Sequence, residues 1–196
     1  MATLNATNLK HASSGSNNIV LAADGSTTIS NLSGGVGKIL QVVQTQILTT
    51  SSTSSSNFAD TALVRTITPT SASNKILCMV DMKVGGGQPS EVVFKLVRFD
   101  SGGTGYDIAY STVSTNQKGF YHSYYSNANA GRGYYGLDSV GVDSLDTAIN
   151  ANEHSYRVQW RAVQGTIYLN RTGYSTSQGN YSGTGCSTIT LMEVAV

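Results

Sequence analysis

Charged residues are scarce in this sequence. Only 12 % of its 196 residues are Asp, Glu, Lys or Arg, and the net charge is +1. Globular proteins average roughly 25 % charged residues. Because there is no basic excess to pair with phosphates, nucleic-acid binding is not expected. Ser, Thr, Asn and Gly instead make up 83 of the 196 residues, while 39 % of residues are hydrophobic, so the composition is not that of a disordered chain.

Long apolar runs are also missing. The longest, at 76–84, is interrupted by Asp81, and no stretch approaches the roughly 20 apolar residues of a membrane helix. The first twenty residues show no charged segment followed by an apolar run, which a secretory signal requires. We therefore expect neither membrane insertion nor a signal peptide.

Cysteine and histidine are too few and too scattered for a metal site. Cys78 and Cys186 form no CxxC motif or disulfide framework, and Cys78 lies in the apolar run, which predicts a buried free thiol. A zinc site needs three or four convergent donors, whereas the three histidines are His11, His122 and His154. We expect no metal and no cofactor.

The densest group of acidic residues lies between residues 138 and 153. Its spacing does not match that of a calcium-binding loop. We interpret its members as solvated loop acids rather than as a cation site; they are Asp138, Asp143, Asp146 and Glu153.

The motifs of common enzymes are absent as well. There is no Gly-x-Ser-x-Gly elbow, and no carboxylate pair can be nominated for glycoside hydrolysis among 11 acidic residues. The segment 34–38 departs from the phosphate-binding loop because Leu32 and Ile39 stand where Gly and Ser or Thr are needed. The sequence predicts no enzymatic activity and no catalytic residue, and we interpret 34–37 as a hinge.

Residues 1–37 differ from the rest of the chain. They are rich in Asn, Ser and Gly, with short apolar segments at 19–22 and 27–32 around an Asp24-Gly25 turn signal. This pattern predicts an extended arm with one small hairpin, which docks on a partner or clasps a trimer. The remainder, 38–196, is expected to form one globular domain.

Strand after strand follows from residue 38. Period-two alternation is clearest at 76–84 and 155–163, and almost every residue of 92–99 is apolar. Further strands are expected at 39–48, 63–67, 106–113, 118–126, 133–137, 167–169 and 187–194. A helical turn near 144–150 is the only helical candidate.

Many short strands punctuated by Gly, Ser and Asn predict an all-β fold, an antiparallel β-sandwich resembling a jelly roll. The alternation and, for Phe94 and Leu96, the apolar run at 92–99 also predict a set of largely buried residues: Ile76, Val80, Phe94, Leu96, Tyr156, Val158, Trp160 and Leu191.

Tyrosine is the remaining signal, with 11 tyrosines against four phenylalanines and one tryptophan. Tyrosine mixed with Ser, Gly and Asn is favoured in recognition loops, and aromatic rings suit the apolar faces of sugars. The candidate receptor-binding residues surround the segment 126–136; they are Tyr121, Tyr124, Tyr125, Arg132, Tyr134 and Tyr135. Alternatively, these tyrosines cap the core or line a subunit interface.

Two segments form recognisable motifs, Q-V-V-Q at 41–44 and I-T-P-T-S-A-S-N-K-I-L at 67–77. They resemble a module of virion structural proteins of tailed phages of marine bacteria, commonly tail-fibre-like. The segments at 155–171 and 183–195, and the arm at 8–27, are also similar to parts of such proteins.

The resemblance implies a virion component of the fibre or spike class, a β-sandwich that forms a homotrimer. It would be assembled in the host cytoplasm, joined to capsid or tail proteins through the arm, and would contribute to host adsorption by contacting a surface glycan. The alternative is a capsid-decorating protein, a cement or head-fibre protein with a purely structural role. A free carbohydrate-binding module is a third possibility.

Overall fold

The structure of the chain is a computed structural model. It describes residues 7–9, 12–13, 15, 19–25, 27–29, 38–87, 89–109, 119, 121–125, 136–147, 150–174 and 183–196, with 27–29 and 121–125 described by their backbone. The chain divides into two compact units, Met1–Gly37 and Lys38–Val196.

Fourteen strands occur in the described residues, and no helix is found among them. The first unit contains β1 (Asn8–Leu9), β2 (Ile19–Leu21) and β3 (Thr27–Ile29). The second contains β4 (Ile39–Ile47), β5 (Ser51–Thr53), β6 (Ala59–Ile67), β7 (Lys75–Gly86), β8 (Ser90–Phe99), β9 (Gly105–Ala109), β10 (Tyr121–Tyr125), β11 (Asp138–Thr147), β12 (His154–Gln164), β13 (Ile167–Leu169) and β14 (Ser187–Val194). A membrane-spanning helix is accordingly not found in the described part of the chain.

The first unit is a three-stranded antiparallel sheet in the order β1-β2-β3. The predicted hairpin is confirmed, since β2 pairs with β3 in the register Ile19↔Ile29 and Leu21↔Thr27. Gly25 has a φ of 84° and donates its N–H to the carbonyl of Ala22 at 3.1 Å, so the turn uses the left-handed conformation that glycine adopts without strain.

The second unit consists of two antiparallel sheets. In sheet I, β14 and β11 flank β7 on opposite sides, and β4 pairs with the far side of β14. Beyond the end of β14, the short strand β13 pairs with the end of β7. The short strand β5 pairs in turn with β13, in the position that β4 occupies beside β14. In sheet II, β12 lies between β6 and β8, and the other side of β8 pairs with β9 and then β10.

The resulting orders are β4-β14-β7-β11 in sheet I and β6-β12-β8-β9/β10 in sheet II. Two antiparallel sheets of four strand positions each, between which the chain crosses at most of its connections, are the arrangement of a jelly roll. The predicted all-β sandwich is therefore confirmed, and the Greek-key connections follow from the chain order.

One apolar core lies between the sheets. All eight residues that were predicted to lie in the core are buried. Trp160 is only 4 % exposed, and Phe94 is fully buried. The two rings stack with centroids 6.3 Å apart on neighbouring strands of sheet II. Cys78 is a buried free cysteine, as predicted.

The interpretation of 133–150 is wrong in the residues that the structure describes. Asp138–Thr147 is a ten-residue strand, β11, which pairs along its whole length with β7. The predicted helical turn therefore fails at 144–147, residues 136–137 lie outside any strand, and Asp138, Asp143 and Asp146 are strand residues rather than loop acids. Pairing with the long, strongly apolar β7 overrides the weak strand propensity of Asp, Ser and Gly here.

Two smaller differences concern strand limits. Between the strands expected at 39–48 and 63–67 lies an additional short strand, β5, which pairs with β13. The strand expected at 106–113 ends, among described residues, as β9 at Ala109.

Replacing Trp160 with Ala should lower the free energy of unfolding by roughly 3–5 kcal/mol, because a large buried ring leaves a cavity that the core fills only in part. Denaturant unfolding followed by circular dichroism measures the change. Val163→Ala is the matched control, since Val163 lies on the same strand but is 44 % exposed. Equal stability of the two variants would contradict the placement of Trp160 in the core.

Candidate functional site

The connections of the jelly roll divide between two ends of the sandwich. Residues 68–74, 100–104 and 148–153 connect strands at the end where Lys38 enters β4, which we call the Lys38 end. Residues 48–58, 87–89, 126–137 and 165–186 connect strands at the opposite end, which we call the loop end. The register settles this division, because Ile39 pairs with Val194, which pairs with Lys75 at the start of β7.

Of the candidate receptor-binding residues that the structure describes, Tyr124 and Tyr125 lie at the loop end of β10, whereas Tyr121 lies beside the middle of β8. Tyr121, Tyr124 and Tyr125 belong to β10, where Tyr121 is in register with Phe94 and Tyr125 with Ser90. Arg132, Tyr134 and Tyr135 lie outside the described residues. The chain leaves β10 beside Ser90 and re-enters β11 beside Val84. The segment between them therefore starts and ends at the loop end.

Glycines bring backbone segments into direct contact at the loop end. A Cβ on Gly85 would collide with the carbonyl oxygen of Arg171, and one on Gly173 with that of Gly86. Gly165 has a φ of 69°, and its Cβ would collide with the carbonyl oxygen of Pro89. These contacts lock the connection after β13 and the turn after β12 onto the β7–β8 turn.

The buried side chain of Asn170 stabilises the same region through hydrogen bonds. It is fully buried and has a φ of 59°, a conformation that Asn tolerates better than most residues. Its Nδ2 donates to the carbonyl oxygens of Ile47 and Thr49 at 2.9 and 3.1 Å, and its Oδ1 accepts from Ser187 Oγ at 2.5 Å. One side chain thus joins the ends of β4, β13 and β14.

Tyr168 and Arg171 add a cation–aromatic pair to the loop end. The guanidinium carbon of Arg171 lies 3.9 Å from the centre of the Tyr168 ring, and both side chains are partly exposed. The pair lies outside the tyrosine-rich segment 121–135, so the tyrosine content of that segment did not indicate it. Tyrosine followed three residues later by arginine, just after a short strand, was the available signal.

Glu193 organises the Lys38 end. It is fully buried on β14, and its carboxylate accepts hydrogen bonds from Asn74 Nδ2 at 2.5 Å and from Gln41 Nε2 at 2.6 Å. Thr70 donates both its backbone N–H and its hydroxyl to Glu193 Oε1, each at 2.7 Å. Burial opposes ionisation, but these donors outweigh it and lower the pKa of Glu193 to about 2.

This cluster joins the two sequence segments that carry the family resemblance. Gln41 belongs to Q-V-V-Q, and Thr70 and Asn74 belong to the I-T-P-T-S-A-S-N-K-I-L corner. Gln41 Nε2 also donates to the carbonyl oxygen of Thr68 at 2.8 Å. The motif residues therefore position a corner between sheets I and II rather than a reacting group.

A second polar cluster crosses the core between the sheets. Arg98 on β8 donates to Asp146 Oδ2 on β11 at 2.5 Å and to the carbonyl oxygen of Thr147 at 3.0 Å. The Tyr156 hydroxyl donates to the same Asp146 oxygen at 2.9 Å, and burial together with Asp146 raises the pKa of Tyr156. The cluster is a buried ion pair that links the two sheets.

The Cys78 thiol and the His154 imidazole are both buried in the core. Burial, and secondarily the nearby Asp146 and Asp143, raises the pKa of Cys78 to about 12, so its thiol stays protonated at neutral pH. His154 is fully buried, with Nε2 3.2 Å from the carbonyl oxygen of Asn150. The described residues contain no group of three His, Cys, Asp or Glu side chains that could hold a metal ion.

Comparison with known proteins adds no family to this description. No protein-family model matches the chain, and no curated protein matches it at a significant level.

Replacing Glu193 with Gln should destabilise the protein at pH 7 by roughly 1–3 kcal/mol, because the amide turns a donor toward Asn74 and Thr70. The pKa of Glu193 lies below its ordinary 4.5, so its contribution is present above pH 4.5 and is lost as the pH falls toward 2. Unfolding free energies measured between pH 7 and 2 should therefore fall more steeply in the wild type than in the variant.

The matched control is Glu153→Gln, at an exposed position. Its stability should follow that of the wild type across the whole pH range. Parallel pH profiles for Glu193→Gln and the wild type would contradict the role assigned to the Glu193 carboxylate.

Proposed function

We propose that this chain is a structural component of a phage virion, of the fibre or spike class, that assembles as a homotrimer and contributes to host attachment. The observation that carries the proposal is the Glu193 corner. The residues that resemble the phage module converge on one buried carboxylate, so the resemblance concerns the architecture of a sandwich. A structural role fits this arrangement, and no catalytic residue, cofactor or metal is proposed.

The arm supports a role in assembly. Its three strands are two or three residues long, and its apolar residues Leu9 and Leu21 are 40 % and 42 % exposed. Such a small sheet buries too little apolar surface to be stable alone in water. We propose that the arm docks onto other virion proteins of the capsid or tail, and that the trimer is part of the particle assembled in the host cytoplasm.

The layout of the sandwich supports a role in attachment. Lys38, where the second unit begins, lies at one end of the sandwich, and the last residue of β10 and the first residue of β11 lie at the other. An adsorption protein needs one anchored end and one end presented to the host. We propose that the loop end faces outward and that its tyrosines and Arg132 contact a host-surface glycan, with ring faces on sugars and a bidentate guanidinium on an acidic group.

A capsid-decorating protein is the second candidate, and the short arm strands favour it equally. In that role the arm would join neighbouring capsid subunits and the loop end would bind no receptor. The number of copies per particle separates the two locations. Quantitative mass spectrometry of purified virions should find tens of copies or fewer for a tail protein and hundreds for a decorating protein, and absence from the particles would refute both.

Alanine substitutions of Tyr125, Arg132 and Tyr134, made one at a time, should reduce phage adsorption to host cells while leaving trimer stability unchanged. Loss of aromatic stacking and of a bidentate contact would each weaken glycan binding. Adsorption assays and thermal unfolding of the purified trimer provide the two measurements.

Tyr106→Ala is the control, because Tyr106 is an exposed tyrosine on β9 opposite Arg98, near the Lys38 end. Normal adsorption with reduced trimer stability would instead assign the tyrosines to the subunit interface.

A further inference from the structure

The outer face of sheet I carries an uncovered row of apolar side chains. Leu145, Leu77, Met192 and Val42 are in register across β11, β7, β14 and β4. Leu145 and Val42 are each 54 % exposed. Adjacent rows contribute Met79 at 38 % and Ile39 at 52 % exposure. These six residues form a continuous patch that spans all four strand positions, and we call it the apolar face.

The apolar face occupies only the half of the sheet near the Lys38 end. Toward the loop end the same outer surface is polar, with Gln44 donating to Thr190 Oγ1 at 2.8 Å and Lys83 paired with Asp81 at 2.8 Å. Sheet II presents the opposite character on its outer face, where Arg157 pairs with Asp60 at 2.8 Å and Lys95 pairs with Asp107. On sheet II, Val163 and Tyr106 are 44 % and 37 % exposed, but the described residues of that sheet show no row of exposed apolar side chains across its strands.

We propose that the apolar face is the surface through which copies of this chain associate. The number of copies, three, rests on the proposed function, whereas the choice of surface rests on the sheet itself. Three copies about one axis can each present this face to the other two.

The dimensions of the sheet fit an interface between copies. Strands about 4.8 Å apart with a rise of about 3.3 Å per residue give four ten-residue strands a flat area on the order of 600 Å². Side chains that project from the sheet have a larger accessible surface than this, and a stable interface buries about 800 Å² per partner. The apolar half would form its core and the Gln and Thr half its rim, the usual division of an interface.

The charges that border the apolar face also suit a second copy of the same chain. Lys75 and Asp143 lie two positions to either side of the Leu145–Leu77 row, on neighbouring strands. One cation and one anion at opposite borders allow two copies to place unlike charges together. A strongly acidic or basic partner would gain from only one of them.

The test is native mass measured across a dilution series of the full-length protein. The wild type should associate, and the double variant Val42→Lys/Leu145→Lys should raise the apparent dissociation constant by about tenfold or more, because like charges would meet at a desolvated surface. The matched control Gln44→Lys/Thr190→Lys adds the same charge to the polar half and should change the constant by less than about threefold. Circular dichroism and thermal unfolding verify that both variants fold.

The arm variant Leu21→Lys tests whether the apolar face is instead covered by the arm of a neighbouring copy. Dissociation caused by the Val42/Leu145 variant alone supports the proposal. It is overturned if Leu21→Lys or the Gln44/Thr190 control dissociates the protein equally, if the Val42/Leu145 variant remains associated, or if the wild type is monomeric throughout. A protein that trimerises through this face but is missing from virions would refute the proposed function and leave the surface assignment intact.

Discussion

A single buried carboxylate holds together the end of the sandwich at which the chain enters. Ionised Glu193 would be very unfavourable in the core without compensation, so its four hydrogen bonds must form together. The donors come from β4 and from the corner that leads from β6 in sheet II to β7 in sheet I. The Glu193 carboxylate therefore couples the packing of the two sheets to the conformation of the corner.

The sequence predicted those parts of the fold that depend on local alternation. All eight predicted core residues are buried, because period-two patterning is decisive where one face of a strand meets the core. Glu193 follows the same rule, since it alternates inward with Ile189 and Leu191. Its inward position was readable from the pattern, but its donors are 119 to 152 residues away along the chain, and no local signal identifies such partners.

Strand β11 shows where local reasoning fails. Seven of its ten residues are Gly, Ser, Thr or Asp, and the segment becomes a strand because β7 offers a full-length partner. Asp146 then meets Arg98 and Tyr156 across the core, a pairing that only the topology creates. The strand expected at 118–126 is confirmed, by contrast, as the edge strand β10, which contains Tyr121, Tyr124 and Tyr125.

The glycine contacts at the loop end identify positions at which the chain does not tolerate a side chain. Gly85, Gly165 and Gly173 touch backbone atoms of other segments, so any side chain there would displace a neighbouring strand or turn. The connections that these contacts support can exchange residues without disturbing them. In a protein built in this way, exposed positions of these connections can change over successive generations while the strands and the turns in contact with the glycines stay the same.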